Sequence, residues 1–223
     1  PSSVPELHRA RPPAPDWVNT EQNFWGGHGI VGGHIPLGGG LAFANKYNGN
    51  NKISATFFGD GAVDQGVLHE TLNMSQLWKL PAIYVVENNG YSMGTSVRRH
   101  TVGEIYERAK GYGMKHAVFN GMDAFTVYEN MKKIADDVRE TSEPWFVEIR
   151  TYRYRGHSMS DPQKYRTKDE LEAYQKNDPI ERIKKCWTLW ILPRNLRSPS
   201  QRRSTRICLQ ARHLSTTNSK RQD

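Results

Sequence analysis

The five-residue run AIYVV at Ala82–Val86 constrains the fold more than any other part of the chain. It is apolar at every position, without the alternation of a strand that has one face in water, and this is typical of a strand covered on both faces. Such strands belong to parallel sheets, in which helices connect the strands and cover both sides. The sequence therefore predicts an α/β fold with a mainly parallel sheet flanked by helices.

Strand and helix patterns alternate around this run. Ile53–Phe58 and Trp145–Thr151 are rich in β-branched and aromatic residues and are the other two predicted strands. Because ligands bind at the carboxyl ends of the strands in such sheets, we expect the chemistry just after Phe58, Val86 and Thr151.

Helices are predicted from apolar spacing and from capping residues. The predicted helices are Ala62–Trp78; one capped by Asp123 with a buried stripe at Tyr128, Met131, Ile134, Ala135 and Val138; one opened by a capping box of Thr167 and Glu170 and ending at Tyr174; and one opened by Asp178-Pro179 and ending near Lys185.

The formal net charge of +8 is concentrated at the C-terminal end. Residues 186–223 carry eight basic residues and one acidic residue, whereas residues 23–185 carry 21 basic and 19 acidic residues. The basic tail has no aromatic residue after Trp190 and no recognition motif, so it gives little support for base stacking or groove readout. No apolar run approaches the ~20 residues of a membrane span. We expect neither a nucleic acid nor a membrane as a partner.

Composition divides the chain into three parts. Residues 1–22 contain five prolines and no apolar periodicity, which predicts a disordered, proline-rich arm. Residues 23–185 form the expected domain, and residues 186–223 are predicted to be a disordered or aberrant basic tail. Because both cysteines, Cys186 and Cys208, lie in that tail, no disulfide is expected to hold the domain together, and a reducing compartment is the simple inference.

An aspartate and an asparagine follow two of the predicted strands. Gly59-Asp60-Gly61 comes after the first, and Asn88-Asn89 comes after Ala82–Val86, with 26 residues between Gly61 and Asn88. Asp60 and Asn89 could give oxygen ligands to Mg²⁺, the others being a backbone carbonyl, water and phosphate. The glycines would let the backbone approach a diphosphate, and a helix starting at Ala62 would point its amides there. Each motif alone would be an ordinary turn, but the pair is specific.

The sequence does not support two other kinds of site, a dinucleotide site and a zinc site. Gly27–Gly32 satisfies the G-x-G-x-x-G dinucleotide pattern, but a short polar segment precedes it instead of a strand, and no acidic residue ends a second strand about 20 positions on. His28 and His34 have no cysteine or further histidine at metal-ligand spacing, so zinc is not expected.

The paired motifs resemble the diphosphate–magnesium signature of thiamine-diphosphate enzymes. The similarity extends to the alpha-subunit family of the pyruvate dehydrogenase component of 2-oxo acid dehydrogenase complexes, through FWGGHGIVGGHIPLGGGLAFANKYNG, FFGDGAVDQGVLHETLNMSQLWKLPAIYVVENNGYSMGTSV, TYRYRGHSMSDP and YRTKDELE. It covers roughly residues 23–185, which corresponds to the middle of a full-length member. The arm and the tail depart from the family pattern, so we expect a partial thiamine-diphosphate-binding domain with aberrant ends.

The resemblance implies roles for individual residues, which the residue types alone leave open. Backbone groups of Gly29 and Val31 would contact the aminopyrimidine ring, and His157 would be the catalytic residue, although alone it could equally be an exposed loop histidine. The implied cofactor-binding residues are Gly29, Val31, Gly59, Asp60, Gly61, Ala62, Asn89, Met93 and His157. The implied metal ligands are Asp60, Asn89 and the Tyr91 carbonyl. Ser158 and Ser96 match regulatory phosphorylation sites, and Lys164 replaces the serine of a third.

The implied activity is the oxidative decarboxylation of pyruvate with transfer of the acetyl group to a lipoyl carrier, using thiamine diphosphate and Mg²⁺. The implied partners are a beta subunit in a heterotetramer, a lipoyl-bearing acetyltransferase component, and a regulatory kinase and phosphatase. The eukaryotic character of the phosphorylation loop implies the mitochondrial matrix. Two alternatives stay open: a branched-chain 2-oxo acid or acetoin dehydrogenase alpha subunit, and a non-catalytic fragment with a basic interaction tail. GHSMSDP and YRT favour pyruvate.

Overall fold

The computed structural model describes residues 18–191, with side chains up to residue 187. Most of the predicted arm and of the predicted basic tail therefore lies outside the described residues. The α-helices are α1 His34–Asn48, α2 Gly66–Leu77, α3 Val97–His100, α4 Ala124–Thr141, α5 Lys168–Gln175 and α6 Pro179–Ile191. The strands are β1 Ser54–Gly59, β2 Ala82–Asn88, β3 Tyr91–Ser92, β4 Thr95–Ser96, β5 Lys115–Asn120 and β6 Trp145–Arg150. Two 3₁₀ segments span Asp60–Ala62 and Ile105–Tyr112.

Four of the strands form one parallel sheet in the order β1-β2-β6-β5. The three predicted strands are confirmed to within two residues at each end, whereas β5 was not predicted. The register pairs Phe58 of β1 with Val86 of β2, so these two strands end side by side. β3 and β4 pair separately as a short antiparallel ribbon. The predicted α/β fold with a mainly parallel sheet is confirmed.

Apolar side chains cover both faces of β2. Tyr84 and Val86 pack into a cluster with α1, α2 and the second 3₁₀ segment, while Ile83 and Val85 pack against α4 on the opposite face. All five residues of Ala82–Val86 are buried. The unbroken apolar run is explained by this arrangement, since neither face of the strand meets water.

The predicted start of the helix at Ala62 is wrong. Residues 60–62 form a 3₁₀ turn, and α2 begins only at Gly66, with Gln65 in an extended conformation as its N-cap residue. The carbonyl of Val63, which an earlier start would use within the helix, accepts a hydrogen bond from Arg108 Nη1 at 2.5 Å. The first amides after Asp60 therefore belong to a tight turn and not to the end of a helix.

Helix α1 was not predicted, because it contains three successive glycines. Gly38 lies so close to Thr56 of β1 that a Cβ there would overlap its hydroxyl, and a Cβ at Gly39 would lie 3.1 Å from the Tyr84 hydroxyl. Gly40 faces open space. The first two glycines let the helix backbone lie directly on the sheet. This packing outweighs the low helix propensity of glycine, which costs about 1 kcal/mol per residue relative to alanine.

The other predicted helices are confirmed with changes at their ends. Asp123 accepts the amide of Thr126 at 3.4 Å, and the Thr167 hydroxyl accepts the amide of Glu170 at 3.2 Å. The reciprocal half of the predicted capping box is absent, since the Glu170 carboxylate accepts the Tyr91 hydroxyl at 3.1 Å instead. In the α4 stripe Ile134 and Val138 are buried, Met131 and Ala135 are partly buried, and Tyr128 is 40% exposed.

Helix α6 continues six residues beyond its expected end near Lys185, to Ile191. The carboxylate of Asp178 opens it by accepting the amide of Ile180 at 2.7 Å. Cys186 lies on this helix as a free thiol, and Cys208 is outside the described residues. Within residues 18–191 no helix is long and apolar enough to cross a bilayer.

Candidate functional site

Asp60 follows the end of β1 and is 1% exposed. Its Oδ1 accepts the amide of Asn89 at 3.4 Å, but its Oδ2 is buried and has no hydrogen-bond partner among the described residues. Burial raises the pKa of this carboxyl above its ordinary value, against the lowering effect of nearby amides and of His100. An unpartnered buried carboxylate oxygen is costly, and a cation beside it would remove that cost. The donor set thus fits a hard cation.

The loop after β2 brings Asn89 to Asp60. Gly90 adopts a φ of +85°, which glycine tolerates best, and its amide donates to Asn88 Oδ1 at 2.9 Å. The Asn89 side chain accepts the amide of Tyr91 at 3.2 Å. The Tyr91 carbonyl, the third implied ligand, accepts a long hydrogen bond of 3.5 Å from Arg153 Nη1. The structure thus brings Asp60 and Asn89 together, whereas the Tyr91 carbonyl faces an arginine.

The two glycines around Asp60 differ in their surroundings. A Cβ at Gly59 would meet no atom within 4 Å, so the backbone there is open to an incoming group. A Cβ at Gly61 would overlap the Ser92 hydroxyl and lie 2.8 Å from its Cβ. Gly61 therefore packs the turn against β3, and the buried Ala62 belongs to the core cluster, while Gly59 leaves room for a ligand.

We expect Gly61→Ala to lower the free energy of unfolding by about 2 kcal/mol, because the new methyl group must push β3 away from the turn. Gly59→Ala is the matched control, with an extended φ of −77° and free space, and should change stability by no more than about 0.5 kcal/mol. Urea unfolding of both variants measures the difference. Equal stabilities would contradict the close packing at Gly61.

A histidine that sequence reasoning missed lies between two carboxylates. His100 Nδ1 is 2.7 Å from Asp64 Oδ2, and His100 Nε2 is 3.7 Å from Asp60 Oδ2. Burial alone would raise the pKa of Asp64, but hydrogen bonds from Arg108, His100 and Thr101 outweigh it and hold that pKa below its ordinary value. These residues approach one another across 36 or more positions, so no local spacing in the sequence indicates the cluster.

An open pocket of about 540 Å³ lies beside the loop after β6. Its lining residues are Met93, Gly94, His157, Ser158, Asp161, Pro162, Lys164 and Tyr165. The structure thus brings together three of the implied residues, Met93, His157 and Ser158. The His157 side chain is exposed, and its backbone amide donates to Asp161 Oδ2 at 2.8 Å. Ser96 is not among the lining residues and is paired with Tyr91 in the ribbon.

Charged groups hold the pocket loop in place. Asp161 accepts the Tyr165 hydroxyl at 2.6 Å, and this bond, with the amides of Gln163 and His157, lowers the pKa of Asp161 to about 2. Arg153 donates to the Met93 carbonyl at 2.5 Å, which ties the loop after β6 to the turn between β3 and β4. The partners of these side chains could not be predicted from the sequence.

The glycine-rich segment lies against the start of α2. A Cβ at Gly32 would contact the Gln65 side chain at 3.3 Å, and the implied contact residues Gly29 and Val31 are exposed. His28 Nδ1 accepts the amide of Ile30, and His34 Nε2 lies 2.8 Å from the Phe57 carbonyl. In the part of the chain that the structure describes, no group of three or more His, Cys, Asp or Glu side chains could hold a metal.

Comparison with known proteins gives a family. Residues 16–190 match the family described as "Dehydrogenase E1 component". The chain is 55% identical over 163 residues to the pyruvate dehydrogenase E1 component subunit alpha of Rickettsia bellii, covering 73% of this chain and 50% of that protein. It is 50% identical over 169 residues to the mitochondrial subunit alpha-1 of Arabidopsis thaliana, covering 74% and 42%. The chain spans about half the length of the curated relatives it matches.

A solved structure is similar at lower identity. It is titled as a putative thiamin diphosphate-dependent enzyme isolated from Mycobacterium smegmatis, with 20% identity and a TM-score of 0.47. The match covers 58% of this chain and 24% of that one.

Proposed function

The chain belongs to the dehydrogenase E1 component family, and on this premise we propose that it acts as the alpha subunit of a pyruvate dehydrogenase component. The reaction would be the oxidative decarboxylation of pyruvate with transfer of the acetyl group to a lipoyl carrier. One observation carries the proposal: the buried Oδ2 of Asp60, which accepts no hydrogen bond from the described residues, lies at the tip of β1, next to the Asn89 loop of β2. A hard cation that binds a diphosphate would satisfy it.

Thiamine diphosphate, when bound, supplies the centre that accepts the electrons left by departing CO₂. In our proposal Asp60 and Asn89 would hold Mg²⁺, and the open backbone at Gly59 would leave room for the diphosphate. The Tyr91 carbonyl would be a third ligand, in place of its long contact with Arg153. Backbone groups of Gly29 and Val31 hold the aminopyrimidine ring.

The proposed roles of Met93 and His157 rest on their shared pocket. Met93 presents an apolar side chain there, and the exposed imidazole of His157 is free to contact the diphosphate or to pass a proton. The backbone amide of His157 donates to Asp161, which holds this part of the loop. From this position the imidazole would act as a positioning or catalytic group if it reached a proton of the bound cofactor or substrate.

We further propose the partners that the family implies: a beta subunit in a heterotetramer, a lipoyl-bearing acetyltransferase component, and a regulatory kinase and phosphatase. Ser158 is exposed beside His157, so a phosphate there would place nearly two negative charges next to Asp161 and the diphosphate. Ser96 is only half-exposed, in the ribbon next to the metal loop. Its modification would disturb Tyr91 directly.

Substrate and location follow the relatives. Those named above are pyruvate dehydrogenase subunits, which favours pyruvate over branched-chain 2-oxo acids and acetoin. Some relatives are bacterial and the Arabidopsis one is mitochondrial. The mitochondrial matrix is our proposal for this chain, supported by that plant relative and by the phosphorylation-loop sequence. The alternative that uses the basic tail falls on residues beyond Ile191, outside the described residues.

Calorimetry on the chain co-expressed with a beta subunit tests the function. We expect thiamine diphosphate to bind only with Mg²⁺ present, and the heteromer to decarboxylate pyruvate. The chain purified alone should not turn over pyruvate, because in our proposal the beta subunit completes the site. A heteromer that binds no cofactor would refute the proposed function, and an active single chain would refute the heteromer.

A further inference from the structure

Glu148 is a buried carboxylate that the proposed chemistry does not use. It lies in β6 beside Val86 of β2 and is 1% exposed. Its Oε1 accepts Asn88 Nδ2 and Arg150 Nε, both at 2.9 Å, and its Oε2 accepts the amide of Tyr106 at 3.1 Å. A buried carboxylate loses several kcal/mol of hydration, and an apolar residue of similar volume would often serve stability as well. The charge therefore has little value for packing alone.

The Glu148 contact fixes the side chain of Asn88 in one orientation. The Asn88 amide nitrogen donates to Glu148, so its oxygen must face the other way, where it accepts the amide of Gly90 at 2.9 Å. The Asn88 backbone carbonyl accepts the amide of Thr151 at 2.8 Å. Asn88 is thus held by three hydrogen bonds, and its side-chain amide cannot rotate without breaking two of them.

Asn88 in turn sets the loop that carries the candidate metal ligand. The Gly90 amide donates to Asn88, and the Gly90 carbonyl accepts the amide of Val97 at 3.0 Å. Both backbone polar groups of Gly90 are therefore hydrogen-bonded, which fixes the turn. Asn89, the residue between Asn88 and Gly90, then directs its amide at Asp60 Oδ1. Two hydrogen bonds link Glu148 to Asn88 and Asn88 to Gly90, the backbone joins Gly90 to Asn89, and a third hydrogen bond links Asn89 to Asp60.

We propose that Glu148, acting through Asn88, is a positioning residue for the cation site formed by Asp60 and Asn89. It does not touch the cation, the cofactor or the substrate. Its role is to fix the Asn88 amide so that the turn holds Asn89 against Asp60 before the cation arrives. This inference rests on the proposed function, because it assumes that Asp60 and Asn89 bind Mg²⁺.

A purely structural role is the competing explanation. Glu148 also holds the 3₁₀ segment Ile105–Tyr112 through the Tyr106 amide, and it pairs with Arg150. In that case its loss would lower stability but leave the affinity of a folded protein for Mg²⁺ unchanged. The two explanations therefore separate when metal affinity and thermal stability are measured on the same variants.

The test is calorimetric titration of Mg²⁺ into the chain co-expressed with a beta subunit, at saturating thiamine diphosphate. Asn88→Ala and Glu148→Gln should each weaken Mg²⁺ binding about 10- to 100-fold, as loss of an outer partner of a metal ligand does. Glu104→Gln is the matched control, because Glu104 is the other, exposed carboxylate that pairs with Arg150 and has no contact with Asn88. It should bind Mg²⁺ like the parent protein.

The double variant tests whether Glu148 acts through Asn88. If it does, Asn88→Ala with Glu148→Gln should bind Mg²⁺ no more weakly than the weaker single variant, since the second change removes a contact already lost. Additive losses would overturn the proposal, as would a lower melting temperature with unchanged Mg²⁺ affinity.

The outcomes also separate this inference from the proposed function. If Glu148→Gln fails to fold, Asn88→Ala alone decides, because unchanged Mg²⁺ affinity in that variant overturns the inference. If the parent binds Mg²⁺ and thiamine diphosphate but both variants match it, only the inference is overturned. A parent heteromer that binds neither refutes the proposed function, and the inference with it.

Discussion

Asp60→Asn is expected to make the cofactor-free protein more stable and to remove its Mg²⁺-dependent binding of thiamine diphosphate. The carboxylate is buried, one of its oxygens accepts no hydrogen bond from the described residues, and burial raises its pKa, so the charged form is unfavourable without a bound cation. A neutral side chain of the same shape should add about 1–2 kcal/mol to the free energy of unfolding. Binding should fall by more than the ~100-fold that loss of an outer partner costs, because a ligand itself is lost.

Chemical unfolding of the cofactor-free protein and calorimetry of the heteromer measure the two effects. Asp136→Asn is the matched control, because Asp136 is an exposed carboxylate on α4 that pairs only with Arg139 among the described residues. This variant should change the free energy of unfolding by no more than about 0.5 kcal/mol. It should bind thiamine diphosphate and Mg²⁺ like the parent protein. Retained binding in Asp60→Asn, or a less stable cofactor-free protein, would contradict the assignment.

Gly38→Ala is expected to lower the free energy of unfolding by about 3 kcal/mol. A Cβ at this position would overlap the hydroxyl of Thr56 and lie 3.0 Å from its Cβ, so α1 would have to lift off β1. Gly40→Ala is the matched control in the same helix. A Cβ there meets nothing within 4 Å, so the variant should be about 1 kcal/mol more stable, through helix propensity alone.

Thermal unfolding of both glycine variants should show melting temperatures that move in opposite directions, by about 2–4 °C per kcal/mol for a protein of this size. The double variant Gly38→Ala with Thr56→Ala should recover part of the loss, because it removes the hydroxyl and methyl groups that the new Cβ meets. If the two glycine variants behaved alike, α1 would not be in direct contact with the sheet.

The central strand and the main pair of the candidate site could be predicted from the sequence because both leave local signals. Ala82–Val86 is apolar throughout, since both of its faces are covered. Asp60 and Asn89 follow predicted strands, and parallel neighbours end at the same edge of a sheet, so their closeness follows from the topology.

The missed features depend on contacts between distant parts of the chain. Helix α1 is stabilised by packing on Thr56 and Tyr84, which propensity at three glycines could not indicate. His100 contacts Asp64, which lies 36 positions away in the sequence. Glu170 accepts the Tyr91 hydroxyl, 79 positions away, instead of a backbone amide at the start of its own helix. The sequence near each of these residues would be equally compatible with an isolated surface side chain.

The position of β6 has a consequence for folding during synthesis. Among the described residues β6 is the last strand made, yet it lies between β2 and β5 in the sheet. Because all pairs in this sheet are parallel, no hairpin can form early to protect their edges. A nascent chain that stops before Trp145 exposes an unpaired edge on β2 and leaves β5 without a neighbour, which favours aggregation. Once the ribosome has released Arg150, the sheet can close, and Glu148 reaches Asn88 in the same step.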